Sequence, residues 1–421
     1  MTSHSTSAAA GGYAYEAAVP LHGPAPTHST SGRVDPQHAG IGQPGYPTEH
    51  VPADGYSPTN HNPTNHNPTG HTQTGHTQDR HVSPASMAEL HEIARRIAGN
   101  VERVVVGKPE VVRIALVTLL SEGHLLLEDV PGVGKTLLAK ALARSIDCTV
   151  SRVQFTPDLL PSDVTGVSIY NRRTGEFEFR AGPVFANIVV GDEINRASPK
   201  TQSALLECME EHQVTVDTET YQLHPPFMVI ATQNPIEMDG TYALPEAQRD
   251  RFTARISIGY PDPQAELAMV DEHSGHEPLA ELRPVSDAEH VRGLMYAVRQ
   301  VHVSPEVRRY AVDLVAATRQ LAEVRLGASP RATLHLIRAA RAQAALAGRE
   351  YVVPDDIQQI AQPVLAHRLV LAPEAHAARR TPADVIRALL QRVPVPHGNR
   401  DGARDNGSQG PAPATPRPGP R

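Results

Sequence analysis

The stretch HLLLEDVPGVGKTLLAKALA, residues 124–143, limits the fold of this chain more than any other part of its sequence. It reads as a short apolar strand, a turn with two glycines and the beginning of a helix. Gly132 and Gly134 let backbone N–H groups approach an anion, next to the positive end of the helix. Lys135 can reach the β and γ oxygens of a polyphosphate, and the Thr136 hydroxyl suits Mg²⁺. The stretch therefore predicts a phosphate-binding loop at the end of a buried strand.

The loop departs from the usual glycine spacing at one position. The pattern G-x-x-x-x-G-K-T places its first glycine at position 129, where this chain has Asp129. A carboxylate near phosphates is unfavourable unless it points away, but this position lies at the strand exit, farther from the phosphates than the residues before Lys135. We therefore expect the site to tolerate Asp129. Pro131, Val133 and Leu137 belong to the same predicted nucleotide-binding loop.

Two further apolar runs also end in polar residues. ANIVVGDE ends in Asp192 and Glu193, and PFMVIATQN ends in Asn234. Adjacent carboxylates at the end of a buried strand fit Mg²⁺ held through Asp192 and water polarised by Glu193, although solvated acids at a strand–helix junction are the alternative. The Asn234 amide can orient water or contact a γ-phosphate, or it can form a turn before proline. Together with Gly-Lys-Thr, the acidic pair favours a nucleotide site over an ordinary strand–turn–helix.

The chain divides into four parts by composition. Apolar strands alternate with helical segments over 86–262, which predicts an α/β domain with a parallel sheet flanked by helices. Residues 285–392 are rich in Ala, Leu and Arg with helical periodicity and predict a small all-α domain, after a linker near 261–285. Residues 1–85 and 393–421 carry too few apolar side chains to offset the entropy of ordering, and we expect both tails to be disordered.

Charge and composition exclude several classes of protein. The formal net charge of −7 gives no overall attraction to DNA, RNA or anionic lipid. The two cysteines, Cys148 and Cys208, are too few for a disulfide framework or a zinc site. We expect no signal peptide, because no basic segment followed by an apolar run opens the chain, and no membrane span, which needs about 18 uncharged apolar residues. A cytoplasmic protein that binds no nucleic acid is the simplest interpretation.

The N-terminal tail contains a repeat of five residues. His61, His66, His71, His76 and His81 fall in register in the array NHNPT, NHNPT, GHTQT, GHTQD and RHVSP. Evenly spaced imidazoles can bind metal ions. A flexible polar tail that expanded by duplication gives the same pattern, and we favour that interpretation.

Taken together, these motifs resemble the AAA+ ATPases, and specifically the MoxR family. The resemblance covers residues from about 88 to 392, and its stretches occur in the family's order. They are VVVGKPE, HLLLEDVPGVGKT, VQFTPDLLPSDVTG, GPVFANIVVGDEINRASPKTQSALLECMEE, FMVIATQNPIEMDGTYALPEAQRDRF and GASPRA. The resemblance implies a P-loop AAA+ domain followed by a small helical lid.

The resemblance also implies ATP and Mg²⁺ as cofactors. Val106 and Gly107 match the segment that lines the adenine pocket in the family. Lys135 and Thr136 match the Walker A motif. Asp192 matches the first acid of Walker B, so Thr136 and Asp192 are the implied metal ligands.

The remaining family roles fall on four residues. Glu193 matches the catalytic acid of Walker B, and Asn234 matches sensor 1. Arg251, in DRF, matches the arginine finger, which in the family acts on a neighbouring subunit's nucleotide. Arg331, in GASPRA, matches sensor 2 of the lid. The family usually has an apolar residue at the position of Arg249, so the choice of Arg251 depends on the motif.

The local sequence around Arg331 supports its family role modestly. Ser329 suits a helix N-cap and Pro330 the first helical position. Arg331 then lies at the positive end of a helix, where a cation is disfavoured. A nearby phosphate would compensate, and so would a surface carboxylate.

The implied function is Mg²⁺-dependent ATP hydrolysis in a hexameric ring. MoxR relatives resemble chaperones that remodel or mature protein clients, often with a partner that contains a von Willebrand factor A domain. The stretches GVSIYNRRTGEFEFRAGPV and HQVTVDTETYQLHPPF read as hairpins, which in relatives face the pore or the client. The alternatives are an ATP-binding scaffold with little turnover and a motor that acts on nucleic acid.

Overall fold

The structure is a computed structural model, which describes residues 86–234, 242–261, 263–264, 266–267 and 278–396. The N-terminal tail with its histidine array, most of the predicted linker and most of the C-terminal tail lie outside these residues. The predictions made for those segments therefore stay predictions.

Five parallel strands form the central sheet, in the order β2-β5-β8-β1-β9. The other four of the first nine strands form two antiparallel hairpins, β3–β4 and β6–β7. In chain order these strands are β1 (Leu125–Glu128), β2 (Val150–Gln154), β3 (Gly166–Asn171), β4 (Glu176–Ala181), β5 (Ile188–Asp192), β6 (Gln213–Val216), β7 (Glu219–Gln222), β8 (Met228–Gln233) and β9 (Ala254–Ile256).

Helices cover both faces of the sheet, as the continuous apolar runs of its strands require. Leu125 and Leu127 of β1 belong to one buried cluster, and Leu126, which points to the other face, belongs to a second. The helices of this domain are α1 (Met87–Glu102), α2 (Pro109–Leu120), α3 (Lys135–Ser145), α4 (Pro161–Thr165), α5 (Pro199–Glu211) and α6 (Glu246–Arg249). The predicted α/β class with a parallel sheet is confirmed.

The C-terminal part, residues 285–392, is helical as predicted and is called the lid below. It also contains a short antiparallel ladder that the sequence did not reveal, because its strands have only three and two residues and leave no alternating pattern. A further short helix, α7, lies within the predicted linker. The elements are α7 (Pro278–Glu281), α8 (Ala288–Gln300), α9 (Pro305–Ala317), β10 (Val324–Leu326), α10 (Pro330–Leu346), α11 (Pro354–Leu365), β11 (Val370–Leu371), α12 (Pro373–Ala377) and α13 (Pro382–Arg392).

Serine followed by proline starts two of the lid helices. The side chains of Ser304 and Ser329 accept hydrogen bonds from the N–H groups of Val307 and Ala332, at the beginnings of α9 and α10. Proline follows at the first helical position, where its missing N–H costs nothing. The cap predicted at Ser329 is therefore present.

The two hairpins contact each other through aromatic rings. Phe179 of β4 stacks on Tyr221 of β7 with ring centroids 4.0 Å apart, and Phe185 packs edge-on against both. Beyond this contact, Phe177 is 74% exposed and Tyr170 is 52% exposed. The β3–β4 hairpin thus presents aromatic side chains to solvent. In the described part of the chain, every helix is too short or too polar to cross a lipid bilayer.

Two buried histidines connect the stability of the fold to pH. His124, which precedes β1, donates through Nε2 to the Met209 carbonyl and accepts the Val229 N–H through Nδ1, both at 3.0 Å. Burial lowers the pKa of His124 to about 3. Burial also lowers the pKa of His367, in the lid, well below its usual value. Both side chains are therefore neutral in the folded protein.

We expect the free energy of unfolding to decrease as the pH falls from 7 towards 5. The unfolded chain takes up protons at these histidines below a pKa of about 6.5, whereas the folded protein does not. Each histidine then removes stability with a slope that approaches about 1.4 kcal/mol per pH unit. Denaturant unfolding at a series of pH values measures the slope. The variant His124→Gln should remove the share of the slope that comes from His124 and leave the share of His367. An unchanged slope in that variant would contradict the assignment.

Candidate active site

The glycine loop between β1 and α3 has the backbone that anion binding requires. Gly132 and Gly134 have φ of +84° and +91°, a region that is costly for residues with a Cβ. Helix α3 follows at once, and the Leu138 N–H donates to the Gly134 carbonyl at 3.0 Å. The N–H groups of the turn before Leu138 have no acceptor within the helix. The loop therefore presents backbone donors and a helix N-terminus to the same volume.

Two side chains of α3 connect this loop to the rest of the site. Lys135 Nζ donates to the Asp129 carbonyl at 2.7 Å, across the mouth of the loop. Thr136 Oγ1 donates to Asp192 Oδ2 at 3.4 Å. The predicted phosphate loop and the predicted acidic pair are therefore in contact at the carboxyl edge of the sheet.

The donor set at this contact suits Mg²⁺. A hydroxyl and a carboxylate oxygen are hard ligands, and Mg²⁺ commonly uses one or two protein ligands together with substrate phosphates and water. Across the described residues, no group of three or more His, Cys, Asp or Glu side chains is placed to hold a metal ion. A metal at Thr136 and Asp192 would take further ligands from phosphates and water.

Asp192 is buried and has two further partners that the sequence did not identify. Arg152 Nε, from the neighbouring strand β2, donates to Asp192 Oδ2 at 2.5 Å. Thr232 Oγ1, from β8 on the other side, donates to Asp192 Oδ1 at 3.3 Å. A buried carboxylate is costly without a positive partner. Arg152 supplies that charge, so a metal at Asp192 has to compete with a guanidinium.

Glu193 and Asn234 lie at the same edge. Glu193 has φ of +57° and ψ of +49°, a left-handed conformation that non-glycine residues adopt at a cost of about 1–3 kcal/mol. The Glu193 N–H donates to Thr232 Oγ1 at 2.9 Å, and Gln154 Nε2 donates to Glu193 Oε2 at 2.8 Å. Asn234, directly after β8, is buried. The Glu193 carboxylate is therefore held next to Gln154 of β2, and Arg196 Nε lies 3.1 Å from the same Oε2 atom.

Beside the loop lies a cavity of about 600 Å³. The predicted residues that line it are Val106, Pro131, Gly132, Val133, Gly134 and Leu137. The described residues that line it do not include the predicted Gly107, whose φ of +74° instead forms the turn next to Val106. The cavity is continuous with the phosphate loop and is apolar on much of its wall, as a purine requires.

One wall of this cavity comes from a segment that sequence reasoning missed. Residues 258–261, which follow β9, line the cavity together with Val106 and Lys108. Lys108 Nζ donates to the Tyr260 carbonyl at 2.8 Å and so joins this segment to the chain that follows Val106. The segment has no motif of its own. Only the position of β9 next to β1 brings it to the loop.

The side chain of Asp129 points away from the loop and towards this wall. Asp129 Oδ2 accepts the Ser257 hydroxyl at 2.8 Å and the Gly259 N–H at 2.6 Å, while Oδ1 accepts the Val130 N–H at 2.8 Å. Burial raises the pKa of Asp129, but the hydrogen bonds from Gly259, Ser257 and Val130 outweigh it and hold the pKa below its usual value. The carboxylate therefore fixes the wall of the cavity and does not face the bound anion.

Arg251 and Arg331 meet on one carboxylate. Arg251 Nε donates to Glu210 Oε2 at 2.8 Å, and Arg331 Nη2 donates to Glu210 Oε1. Neither arginine is among the described residues that line the cavity. Of the two partners considered for Arg331 from the sequence, a phosphate and a carboxylate, the carboxylate of Glu210 is in contact with it. The Nε atom of Arg249 is buried, so Arg249 and Arg251 have different surroundings.

Comparison with known proteins agrees with this geometry. The model of the ATPase family associated with various cellular activities matches residues 124–254, and the model of the AAA lid domain matches residues 316–389. The YeaC protein of Bacillus subtilis is 49% identical over 74% of this chain and 98% of its own length. Chaperone MoxR1 of Mycobacterium tuberculosis is 44% identical over 74% of this chain and 84% of its own.

A solved structure gives the same result. A crystal structure of a protein from Cytophaga hutchinsonii, assigned as an ATPase, superimposes with a TM-score of 0.70 and 39% identity. It covers 74% of this chain and 97% of its own. The fold and the site are those of a nucleotide-binding P-loop ATPase of the AAA+ class. Within that class, the chain belongs to the MoxR family, related to Protein MoxR of Paracoccus denitrificans at 35% identity over 99% of that protein.

We expect Asp129→Asn to weaken nucleotide binding several-fold. An amide has one acceptor oxygen, so its NH2 group faces either the Gly259 N–H or the Val130 N–H, and one of the two backbone donors loses its acceptor. A buried hydrogen bond that loses its partner costs about 1–3 kcal/mol. Calorimetric titration with ADP measures the affinity, and thermal unfolding measures the stability.

Ser257→Ala is the matched control for that variant. It removes one of the three hydrogen bonds to Asp129 and keeps the charge, so its loss of affinity should be smaller. Equal affinity for ADP in Asp129→Asn and the unchanged protein would show that the wall does not need the carboxylate.

Proposed function

We propose that this MoxR-type ATPase hydrolyses ATP with Mg²⁺ through the groups at the carboxyl edge of the sheet. The observation that carries the proposal is the contact of 3.4 Å between Thr136 Oγ1 and Asp192 Oδ2. It brings together the hydroxyl of Thr136, which follows Lys135 in the sequence, and the carboxylate of Asp192, which precedes Glu193. Phosphoryl transfer needs little covalent help, so positioned charges supply most of the catalysis.

Each residue of the proposed site has one task. The backbone around Gly132 and Gly134 binds phosphate oxygens, and Lys135 moves from the Asp129 carbonyl to the β and γ oxygens. Thr136 and Asp192 would hold Mg²⁺, which neutralises charge on the phosphates when bound. Glu193 accepts a proton from the attacking water, and the Asn234 amide orients that water.

The resting partners of the two acids must give way to the nucleotide. Arg152 neutralises Asp192, while Arg196 Nε and Gln154 Nε2 hold Glu193 Oε2 at 3.1 and 2.8 Å. A nucleotide with its metal therefore exchanges one set of charge interactions for another. This exchange couples nucleotide binding to strand β2, which carries Arg152 and Gln154, and to Arg196, which follows β5.

We propose that Arg251 and Arg331 act on the nucleotide of a neighbouring subunit. Both bind Glu210, and both lie outside the lining of the chain's own cavity. A positive pair held by one exposed carboxylate suits an incoming polyphosphate. The proposed assembly is a homo-oligomeric ring, taken as a hexamer from the family.

The clients of the ring are proposed to be proteins. The exposed aromatic side chains of the β3–β4 hairpin, Phe177 and Tyr170, supply an apolar contact surface. The relative from Mycobacterium tuberculosis is named a chaperone. A partner with a von Willebrand factor A domain and a cytoplasmic location are carried over from the family resemblance. A nucleic-acid motor is disfavoured by the net charge of −7. A scaffold without turnover is disfavoured because both acids, Asp192 and Glu193, are present.

We expect Glu193→Gln to bind ATP and to lose at least about 100-fold in kcat, because a positioned general base contributes about 10²–10⁴-fold. Steady-state phosphate release measures turnover, and filter binding of labelled ATP checks that affinity is kept. Turnover equal to that of the unchanged protein would remove Glu193 from its role. Unchanged protein that releases phosphate no faster than Glu193→Gln would favour the scaffold.

We expect Arg251→Ala to lower kcat by about 10³-fold or more while nucleotide affinity is kept, as for arginine fingers in general. Mixing it with Lys135→Ala, which keeps its finger but lacks a working phosphate loop, should restore turnover. Activity then comes from interfaces that pair an intact phosphate loop with an intact finger. A mixture that turns over ATP no faster than its two components would contradict action between subunits.

A further inference from the structure

A buried arginine of the lid donates hydrogen bonds to backbone carbonyls on both sides of Arg251. Arg368 follows α11 and its side chain is 2% exposed. Arg368 Nη2 donates to the Asp250 carbonyl at 3.0 Å and to the Phe252 carbonyl at 2.7 Å. Arg368 Nη1 donates to the Thr253 carbonyl at 3.4 Å. One guanidinium thus holds the backbone of Asp250–Thr253, called the finger segment below.

The carboxylate of Asp250 is shared between two elements of the lid. Asp250 Oδ1 accepts Arg368 Nε at 2.8 Å. Asp250 Oδ2 accepts the Ser329 hydroxyl at 2.7 Å. Ser329 is the N-cap of α10, the helix whose second residue is Arg331. Asp250 is therefore fixed both by the turn after α11 and by the first turn of α10.

The lid reaches Arg251 through its backbone as well as through its ion pair. The Arg251 guanidinium binds Glu210 of α5, in the sheet domain, and Glu210 also binds Arg331 of the lid. The backbone on either side of Arg251 is bound by Arg368 of the lid, while the Thr253 N–H donates to the His124 carbonyl of the sheet domain at 2.8 Å. A shift of the lid relative to the sheet domain would therefore act on the finger segment through Arg368 and on Glu210 through Arg331.

The charge on Arg368 persists at neutral pH. Burial lowers the pKa of Arg368 to about 10, and the neighbouring Asp250 carboxylate opposes that shift. An apolar side chain would fill the same volume without the cost of burying an ion. Unlike an apolar side chain, the guanidinium donates hydrogen bonds to several carbonyls of the finger segment at once.

We propose that Arg368 and Asp250 are positioning residues through which the lid of one subunit sets the placement of Arg251 towards its neighbour. The inference rests on the proposed role of Arg251 as a finger between subunits. Movement of the lid in one subunit then changes hydrolysis in the adjacent subunit. The purely structural alternative is that Arg368 only satisfies buried carbonyls, so that its loss affects every subunit equally.

The mixture of Lys135→Ala and Arg251→Ala chains separates the two explanations. The Lys135→Ala chain is the finger donor, and the Arg251→Ala chain is the receptor that hydrolyses ATP. Ser329→Ala cuts one contact to Asp250, leaves the buried ion pair intact and also uncaps α10, which carries Arg331. It is placed in the donor in one mixture and in the receptor in another, and a loss is assigned to Arg251 only where Arg368→Lys, which leaves that cap in place, gives it too. Arg368→Lys, which keeps the charge but lacks the planar guanidinium, is likewise placed in the donor of one mixture (the donor arm) and in the receptor of another (the receptor arm).

We expect donor-arm substitutions to lower kcat of the mixture about ten-fold or more with KM unchanged, because small misplacements of a catalytic group are costly. The same substitutions in the receptor should leave the mixture close to its original kcat. Ser304→Ala in the donor is the matched control, since Ser304 caps α9 in the same way and lies in the lid without an Asp250 contact. It should lose stability but not kcat.

Each other outcome overturns the proposal. Equal losses in the donor and receptor arms show that Arg368 and Ser329 act only on folding. No loss in either arm shows that the lid does not position the finger segment. If Ser304→Ala in the donor lowers kcat as much as Ser329→Ala, the loss comes from lower stability of the lid and not from Asp250. A silent mixture of the two parent chains removes the finger role of Arg251 itself, and the inference falls with it.

Discussion

The whole site depends on the parallel alignment of β1, β5 and β8. In parallel strands the carboxyl ends meet at one edge, so residues that are far apart in sequence arrive together without any long-range motif. Thr136 and Asn234 come after β1 and β8, Asp192 ends β5, and β8 lies between β1 and β5. The contact of 3.4 Å between Thr136 and Asp192 is a direct result. A sheet with β1 or β5 reversed would place the hydroxyl and the carboxylate at opposite ends.

The sequence predicted the parts of the site that carry their own motif. The fold class, the helical lid and the ATPase family are confirmed, because apolar runs, glycine turns and polar strand ends all leave local patterns. The Ser329 cap was predicted for the same reason. The short β10–β11 ladder and the helix α7 were not predicted, since elements of two to four residues leave too little periodicity.

The sequence did not predict the residues that hold those motifs in place. Arg152 and Gln154 alternate along β2, but their role depends on β2 lying beside β5, which no local pattern specifies. Asp129 was expected to be tolerated, yet its part in fixing the Gly259 wall follows only from β9 pairing with β1. Arg331 was expected to have a phosphate or a surface carboxylate nearby, and only the tertiary structure identifies Glu210 of α5 as a carboxylate partner. Strand order and side-chain reach, which these cases share, are properties of the tertiary structure.

Glu210 has a consequence for how the subunits recognise one another. One carboxylate pairs with two guanidinium groups, so the patch in an isolated subunit keeps one excess positive charge. In the proposed ring, a triphosphate presented by the neighbour offers the arginines several negative oxygens where Glu210 offers two. Subunits that carry ATP therefore compete better for this patch than empty ones. The same carboxylate that stabilises the free chain would favour rings whose sites are filled.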